Sequence, residues 1–217
     1  MAVRFEEIRK QVIEAGVKML ETKLVVGTWG NISARVPGED YIAITPSGVD
    51  YDTITPEGIV ILDMDGNVVD GTMKPSIEYN LHLEVYKNRK DVNAVVHTHS
   101  TYCTAMAIAR KPIPGAAEDL VQIVGGDVRV SEYFLPGSKE LAKAAVKALE
   151  GRNAVLLANH GCLAAGMDLK ETMKIAGVLE KSAQATIFAQ IMGGVVELSQ
   201  EDIDFMREFY LNKYGQR

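Results

Sequence analysis

The sequence predicts an α/β fold in which a central, mostly antiparallel sheet is flanked by helices in three layers. Short runs of β-forming residues follow one another too closely for helical crossovers, so neighbouring strands are expected to pair antiparallel. Longer segments with apolar residues at helical spacing precede, separate and follow these runs. The 217 residues are 47% apolar and show no repeat or break in composition, which predicts one domain over residues 1–217.

The first half of the chain is expected to supply a helix and four strands. Apolar residues recur at helical spacing from Phe5 to Leu20, which predicts a helix to about Thr22. The dipeptide Asp65-Gly66 is typical of a hairpin turn. Strands are predicted at 31–36, 41–44, 59–63 and 67–69.

The second half alternates helices with the remaining strands. Pro75 and Ser76 are predicted to open a helix that runs through Arg89, and Ser138 precedes another helix. The further predicted helices are 100–110, 141–149, 169–192 and 200–210, and the further predicted strands are 93–99, 153–158 and 162–165.

Three of the four histidines stand where a divalent metal ion would bind. If residues 93–99 form a strand, His97 and His99 project to the same side and chelate one ion together. His160 follows a second apolar run and reaches the same place from a neighbouring strand end. Three imidazoles with an open fourth position are typical of catalytic zinc. The alternative is that these are unrelated polar residues at strand ends.

Glycine-rich segments suggest that the chain also binds an anion. The segment 27–31 contains Gly30 and Asn31, and the segment 45–48 contains Ser47 and Gly48. Both are expected to be loops whose backbone can approach a phosphate closely. Each loop alone is as consistent with an ordinary turn. Ser76 adds a hydroxyl at a predicted helix N-terminus, which favours an anion. Glu78 lies in the first turn of that helix, and His82, one turn on, is interpreted as a structural residue.

Composition excludes several classes of protein. A net charge of −6 argues against a nucleic-acid surface, and no apolar stretch approaches the ~18 residues of a membrane span. The charged N-terminal segment does not resemble a signal peptide, which predicts a cytoplasmic protein. Cys103 and Cys162 lack the spacing of zinc ligands and are interpreted as reduced core residues.

Six motifs in order resemble the class II sugar-phosphate aldolases of the L-fuculose-1-phosphate type, within the aldolase, 4-epimerase and adducin-head superfamily. They are Gly27-Thr28-Trp29-Gly30-Asn31-Ile32-Ser33, Ile44-Thr45-Pro46-Ser47-Gly48, Lys74-Pro75-Ser76-Ile77-Glu78, Val95-Val96-His97-Thr98-His99, Asn159-His160-Gly161 and Lys213-Tyr214-Gly215. The resemblance runs nearly from end to end of the chain. It implies the class II aldolase/adducin-head fold and a homotetramer with active sites between subunits.

The resemblance also implies roles for individual residues. His97, His99 and His160 would bind Zn²⁺, with Mn²⁺ or Co²⁺ as alternatives, and Glu78 would be both a metal ligand and the catalytic carboxylate. Tyr214 would act across a subunit interface. Phosphate would be bound by Gly30, Asn31, Ser47, Gly48 and Ser76. The implied reaction is reversible cleavage of a ketose 1-phosphate to dihydroxyacetone phosphate and an aldehyde through a zinc-bound enediolate.

The sequence departs from this family in two places. Ile77 stands where the aldolases usually have a second hydroxyl, which removes one phosphate donor. Glu118 and Asp119 stand near the position of a tyrosine on the loop after Ile113-Pro114, which leaves open the acid that protonates the aldehyde oxygen.

Other readings share parts of this pattern. An L-ribulose-5-phosphate 4-epimerase uses the same metal site but usually has aspartate at the position of Glu78, and a phosphosugar dehydratase or decarboxylase also stays open. An adducin-like scaffold would not need the three histidines. A cupin oxygenase would need a glutamate soon after His99 and an all-β chain. This sequence has no glutamate at 101–105 and predicts several helices, which argues against a cupin.

Overall fold

One antiparallel sheet organises the structure. The computed structural model describes residues 4–215, and within them seven strands pair in the order β4-β3-β2-β1-β5-β7-β6, each antiparallel to its neighbours. The strands are β1 Asn31–Arg35, β2 Tyr41–Ile44, β3 Val60–Asp63, β4 Val68–Asp70, β5 Ala94–Thr98, β6 Ala154–Leu157 and β7 Gly161–Gly166. The predicted strands and the hairpin turn at Gly66, with φ of 90°, are confirmed.

Helices cover both faces of the sheet. The helices are α1 Glu6–Glu21, α2 Tyr79–Asn88, α3 Thr101–Ile108, α4 Glu118–Val124, α5 Lys139–Leu149, α6 Leu169–Ile191 and α7 Gln200–Asn212. Strand residues alternate between two apolar clusters, so Ile42 and Ile44 pack with α2 and α5 while Ala43 packs on the opposite side. The predicted three-layer arrangement is confirmed.

The prediction for α2 is wrong at its start. The helix begins at Tyr79 and not at Pro75, because the segment before it is held in extended pairing with the loop after β2. Ser76 N–H donates to Thr45 O and Ser47 N–H donates to Lys74 O, each at 3.0 Å. Glu78 therefore occupies the N-cap position and does not lie in the first helical turn.

Two short elements were not predicted. Helix α4 has seven residues with four buried apolar side chains in a nearly continuous run, so its stability comes from packing against α7 and not from a periodic pattern. A 3₁₀ turn at Pro56–Gly58 precedes β3. Both cysteines are free and buried, as the sequence suggested. Among residues 4–215, no helix is long and apolar enough to cross a membrane.

Candidate active site

The central strand β5 assembles the site. It lies between β1 and β7, and its register places His97 beside Asn31 on one side and beside Leu163 on the other. His160 lies in the tight turn that joins β6 to β7, so it reaches the C-terminal end of β5. Glu78 is the N-cap residue of α2. This helix packs on the face of the sheet where Val95 of β5 and Leu163 of β7 are buried.

Four side chains converge there. One ligand atom from each of Glu78, His97, His99 and His160 lies within 4.8 Å of every other. The Nε2 atoms of His97 and His99 are 3.0 Å apart. Strand β5 ends at Thr98, so His99 lies just beyond the strand but still projects to the same side as His97. The Glu78 carboxylate lies 3.2 Å from His97 Nε2 and 3.5 Å from His160 Nε2. The expectation that the two strand ends bring the histidines together is confirmed.

These donors suit a divalent cation. His97 Nδ1 donates to Cys162 O at 2.9 Å, which fixes the tautomer and leaves the Nε2 lone pair free for a metal. Glu78 Oε1 is buried and has no hydrogen-bond partner among the described residues, although it faces His160. Three imidazole nitrogens and a carboxylate are ligands that zinc accepts, with manganese and cobalt also compatible. The residues present therefore fit a resident metal ion.

Burial and mutual charge set the protonation of this cluster. Burial would raise the pKa of Glu78, but the adjacent His97 and His160 hold that pKa well below its usual value. Burial would lower the pKa of His97, yet the Glu78 carboxylate raises it above its usual value. Burial and the charge of His97 lower the pKa of His99 to about 3 and that of His160 to about 4. At neutral pH the cluster thus offers an ionised carboxylate and, at His99 and His160, neutral imidazoles, which are the forms that bind a metal ion.

A cleft opens above the cluster. Its cavity of about 330 Å³ is lined by both predicted anion-binding loops together with Glu78, His99 and His160. The five residues predicted to bind phosphate all line it: Gly30, Asn31, Ser47, Gly48 and Ser76. Gly30 has φ of 92° and Gly48 has φ of 67°, conformations that glycine adopts without strain.

The Asn31 side chain lines the cleft and also contacts other side chains of the protein. It is 3% exposed, its amide nitrogen donates to Glu78 Oε2 at 2.9 Å, and its oxygen faces His82. In this structure both polar atoms of the side chain are therefore engaged with the protein.

Sequence reasoning missed two residues that shape the cleft. Tyr51 is buried, and its hydroxyl donates to Gly30 O at 2.7 Å. It therefore connects the loop at 27–31 to the segment that follows the loop at 45–48. Trp29 lies over His99, with ring centroids 5.8 Å apart. Trp29 is part of the glycine-rich motif and could have been identified from it, whereas no motif marks Tyr51.

Other residues that the sequence singled out lie outside the cleft of this chain. Tyr214, near the end of α7, stacks on Tyr210 at 5.4 Å between ring centroids and is half exposed. Asp119 forms an ion pair with Lys181 of α6. His82 is fully buried beneath the site, consistent with its interpretation as a structural residue.

Gly161 allows the two histidine-bearing segments to approach. A Cβ atom added there would lie 2.2 Å from Thr98 O and 3.4 Å from His99 Cα. We expect Gly161→Ala to lower the free energy of unfolding by about 1–3 kcal/mol, as other overpacked substitutions do. It should also weaken metal binding, because β7 must move away from β5 next to two ligands. Urea unfolding and metal titration measure the two effects.

Gly177→Ala is the matched control. Gly177 lies on α6, where an added Cβ meets nothing within 4 Å. Alanine should stabilise this helix position by about 0.5–1 kcal/mol. Equal behaviour of the two variants would contradict the close approach at Gly161.

Comparison with known proteins agrees with this geometry. Residues 10–187 match the family described as Class II Aldolase and Adducin N-terminal domain. The 5-deoxy-D-ribulose 1-phosphate aldolase of Bacillus thuringiensis is 37% identical over 209 residues, covering 96% of this chain and 97% of that protein. The L-fuculose phosphate aldolase of Escherichia coli O157:H7 is 34% identical over 212 residues, covering 97% of each.

A solved structure gives the same result. An L-fuculose 1-phosphate aldolase superposes with a TM-score of 0.92 and 41% identity, covering 97% of this chain and 98% of that chain. The fold and the family that the six motifs predicted are confirmed. The chain therefore belongs to the class II aldolase and adducin N-terminal domain family, as a metal-dependent aldolase that is similar to aldolases of L-fuculose phosphate and of 5-deoxy-D-ribulose 1-phosphate.

Proposed function

We propose that the protein, acting as a single class II aldolase-like domain, cleaves a ketose 1-phosphate reversibly to dihydroxyacetone phosphate and an aldehyde. The observation that carries the proposal is the cluster of Glu78, His97, His99 and His160, of which all but His97 line a cleft together with the two loops predicted to bind an anion. A divalent metal ion, which we infer to be zinc, would supply Lewis-acid polarisation of the substrate carbonyl when bound by these four side chains. Manganese and cobalt are the alternatives.

The side chains of the chain itself account for the proton transfers. Cleavage breaks the bond between C3 and C4, and the electron pair of that bond stays on the three-carbon fragment. Glu78, ionised in the resting site, takes up one proton, which balances the proton that the C4 hydroxyl releases, and delivers it to C3 of this fragment; in the synthetic direction it removes the same proton. The C4 hydroxyl loses its proton as the aldehyde forms, and we assign Tyr214 of a neighbouring subunit to that transfer.

The apolar wall of the cleft favours a sugar with a deoxy terminus. Trp29 and Ile77 line the cleft and are 68% and 65% exposed, so apolar surface is available to a ligand. Similar proteins include aldolases for 5-deoxy-D-ribulose 1-phosphate and for 5-methylthioribulose 1-phosphate. We therefore place 5-deoxyribulose 1-phosphate and L-fuculose 1-phosphate ahead of fully hydroxylated ketoses.

The test is a substrate panel with product identification. The metal-loaded protein is incubated with 5-deoxyribulose 1-phosphate, L-fuculose 1-phosphate, ribulose 1-phosphate and L-ribulose 5-phosphate. Dihydroxyacetone phosphate, detected enzymatically and by NMR, is expected from the deoxy 1-phosphates. Formation of a pentulose 5-phosphate epimer without dihydroxyacetone phosphate would instead identify a 4-epimerase. Equal rates with ribulose 1-phosphate would remove the preference for a deoxy terminus.

The phosphate assignment makes its own prediction. Ser47→Ala should raise KM for the phosphorylated ketose about tenfold or more, because a hydrogen bond to a charged group contributes roughly 1.5–3 kcal/mol. Metal content should not change, since Ser47 is not among the converging ligands. Steady-state kinetics with the matching unphosphorylated ketose is the control. Comparable activity of wild-type protein on that ketose would contradict phosphate binding by Ser47, Gly48 and Ser76.

We also propose a cytoplasmic homotetramer with active sites at subunit interfaces. The end of α6 and the outer side of α7 expose several large apolar side chains, namely Phe188, Ile191, Met192, Phe205 and Phe209. Exposed apolar groups of this kind are typical of oligomer interfaces. Light scattering measures the mass in solution. Tyr214→Phe should impair turnover without changing that mass.

A further inference from the structure

A buried polar seam joins β1 to α2. On β1, Asn31, Ser33 and Arg35 alternate with apolar residues and point to the α2 side of the sheet. On α2, His82 and Tyr86 follow Glu78 at intervals of four residues and face β1. The five residues Asn31, Ser33, Glu78, His82 and Tyr86 are each at most 5% exposed.

The seam forms one continuous chain of hydrogen bonds that ends at Glu78. Asn31 Nδ2 donates to Glu78 Oε2 at 2.9 Å, and Asn31 Oδ1 lies 2.5 Å from His82 Nε2. His82 Nδ1 lies 2.6 Å from Ser33 Oγ. Ser33 Oγ in turn lies 2.8 Å from the Tyr86 hydroxyl.

The ionised carboxylate fixes the direction of every bond in this chain. Glu78 can only accept, so Asn31 must present its NH₂ group to it and its carbonyl oxygen to His82. His82 must then carry its proton on Nε2, which leaves Nδ1 to accept from the Ser33 hydroxyl. The Tyr86 hydroxyl consequently donates to Ser33. A His82 ring with its proton on Nδ1 would not support this orientation of Asn31.

We propose that His82 is a positioning residue for catalysis: through Asn31, it holds the Glu78 carboxylate in the orientation that proton transfer requires. This role rests on the proposed function of Glu78 as the proton carrier. Burial lowers the pKa of His82 to about 3, so the ring stays neutral in the working range of pH. Burying five polar side chains is costly unless they are hydrogen-bonded, and here each has at least one partner within the seam, while Glu78 Oε1 faces the histidine cluster.

Two substitutions at His82 separate positioning from simple packing. His82→Phe fills the space but offers no donor to Asn31, whereas His82→Gln can place an amide N–H near the position of Nε2. We expect kcat of His82→Phe to fall by about 10–100-fold, the range found for residues that orient the ligands of a metal site. KM should change little, because Glu78 orientation affects proton transfer and not ground-state binding. His82→Gln should recover part of the lost kcat.

Metal content and thermal unfolding are measured on each variant. A folded, metal-loaded His82→Phe protein with wild-type kcat would overturn the proposal. Equal loss of kcat in the Phe and Gln variants, with equal loss of thermal stability, would also overturn it, since packing alone would then explain the effect.

A spectroscopic measurement tests the seam without any substrate. Nitrogen-15 NMR of histidine-labelled wild-type protein at neutral pH should show the His82 ring in the Nε2–H tautomer. Ser33→Ala removes the donor to Nδ1 but keeps the Asn31 oxygen that accepts from Nε2, so the ring should stay in the Nε2–H tautomer, a result that can be measured even if His82→Phe does not fold. A wild-type ring in the Nδ1–H form would overturn the proposal. Wild-type protein that cleaves no ketose phosphate but shows the expected tautomer would contradict the proposed function and leave the seam intact.

Discussion

Replacing His97, His99 or His160 with alanine is expected to remove bound metal and to abolish aldol cleavage. The ligand atoms of these residues and of Glu78 lie within 4.8 Å of one another, so each histidine contributes directly to one small site. Substitution of residues that merely orient metal ligands typically costs 10–100-fold, so loss of a ligand should cost at least about 100-fold in metal affinity or turnover. Elemental analysis after dialysis and the cleavage assay measure both quantities.

The three variants should differ in stability. His97 is fully buried and donates to Cys162 O, so His97→Ala leaves a cavity and removes that hydrogen bond. His99 and His160 are partly exposed. Replacing either with alanine should therefore lower the free energy of unfolding of the metal-free protein less than His97→Ala does. Full metal occupancy and activity in any one variant would exclude that histidine from the site.

Glu78→Gln is expected to lower kcat by roughly a hundredfold or more while metal stays bound by the three histidines. Glutamine preserves the size of the side chain and an oxygen that accepts from Asn31 Nδ2, but it cannot carry the proton. The variant should also lose exchange of the hydroxymethyl proton of dihydroxyacetone phosphate with solvent deuterium. NMR follows this exchange in the absence of any aldehyde, which isolates the proton transfer from cleavage.

Glu84→Gln provides the control on the same helix. Glu84 is partly exposed, contacts Asn88 and has no atom in the cluster, so activity and exchange should be unchanged. Exchange at the wild-type rate in Glu78→Gln would remove Glu78 from the proton transfer. Wild-type protein that shows no exchange yet interconverts two pentulose phosphates would replace the aldolase with a 4-epimerase.

Local patterns in the sequence were sufficient to predict most of the fold. The β-strands are short, closely spaced and bounded by turns, and the long helices have clear periodicity, so their positions follow from local rules. The three histidines could be grouped because alternation along β5 and a strand-end turn are also local features.

The remaining features depend on contacts between distant segments. The start of α2 was misplaced because the pairing of Pro46 with Pro75 holds the preceding residues extended. Tyr51 carries no motif, and its bond to Gly30 is visible only in three dimensions. The contacts of Asn31 with Glu78 and His82 likewise come from the packing of β1 on α2 and could not be read from a glycine-rich loop.

The position of β5 has a consequence for synthesis of the protein on the ribosome. One neighbour of β5, β1, emerges before it, but the other, β7, follows only after α3, α4, α5 and β6. A nascent chain that has not yet reached β7 therefore carries β5 as an open edge, with residues Ala94–Thr98 that are buried on both faces in the finished fold. Such an edge can pair with another chain. The strand that carries His97 is thus exposed to pairing with another chain until β7 has been synthesised.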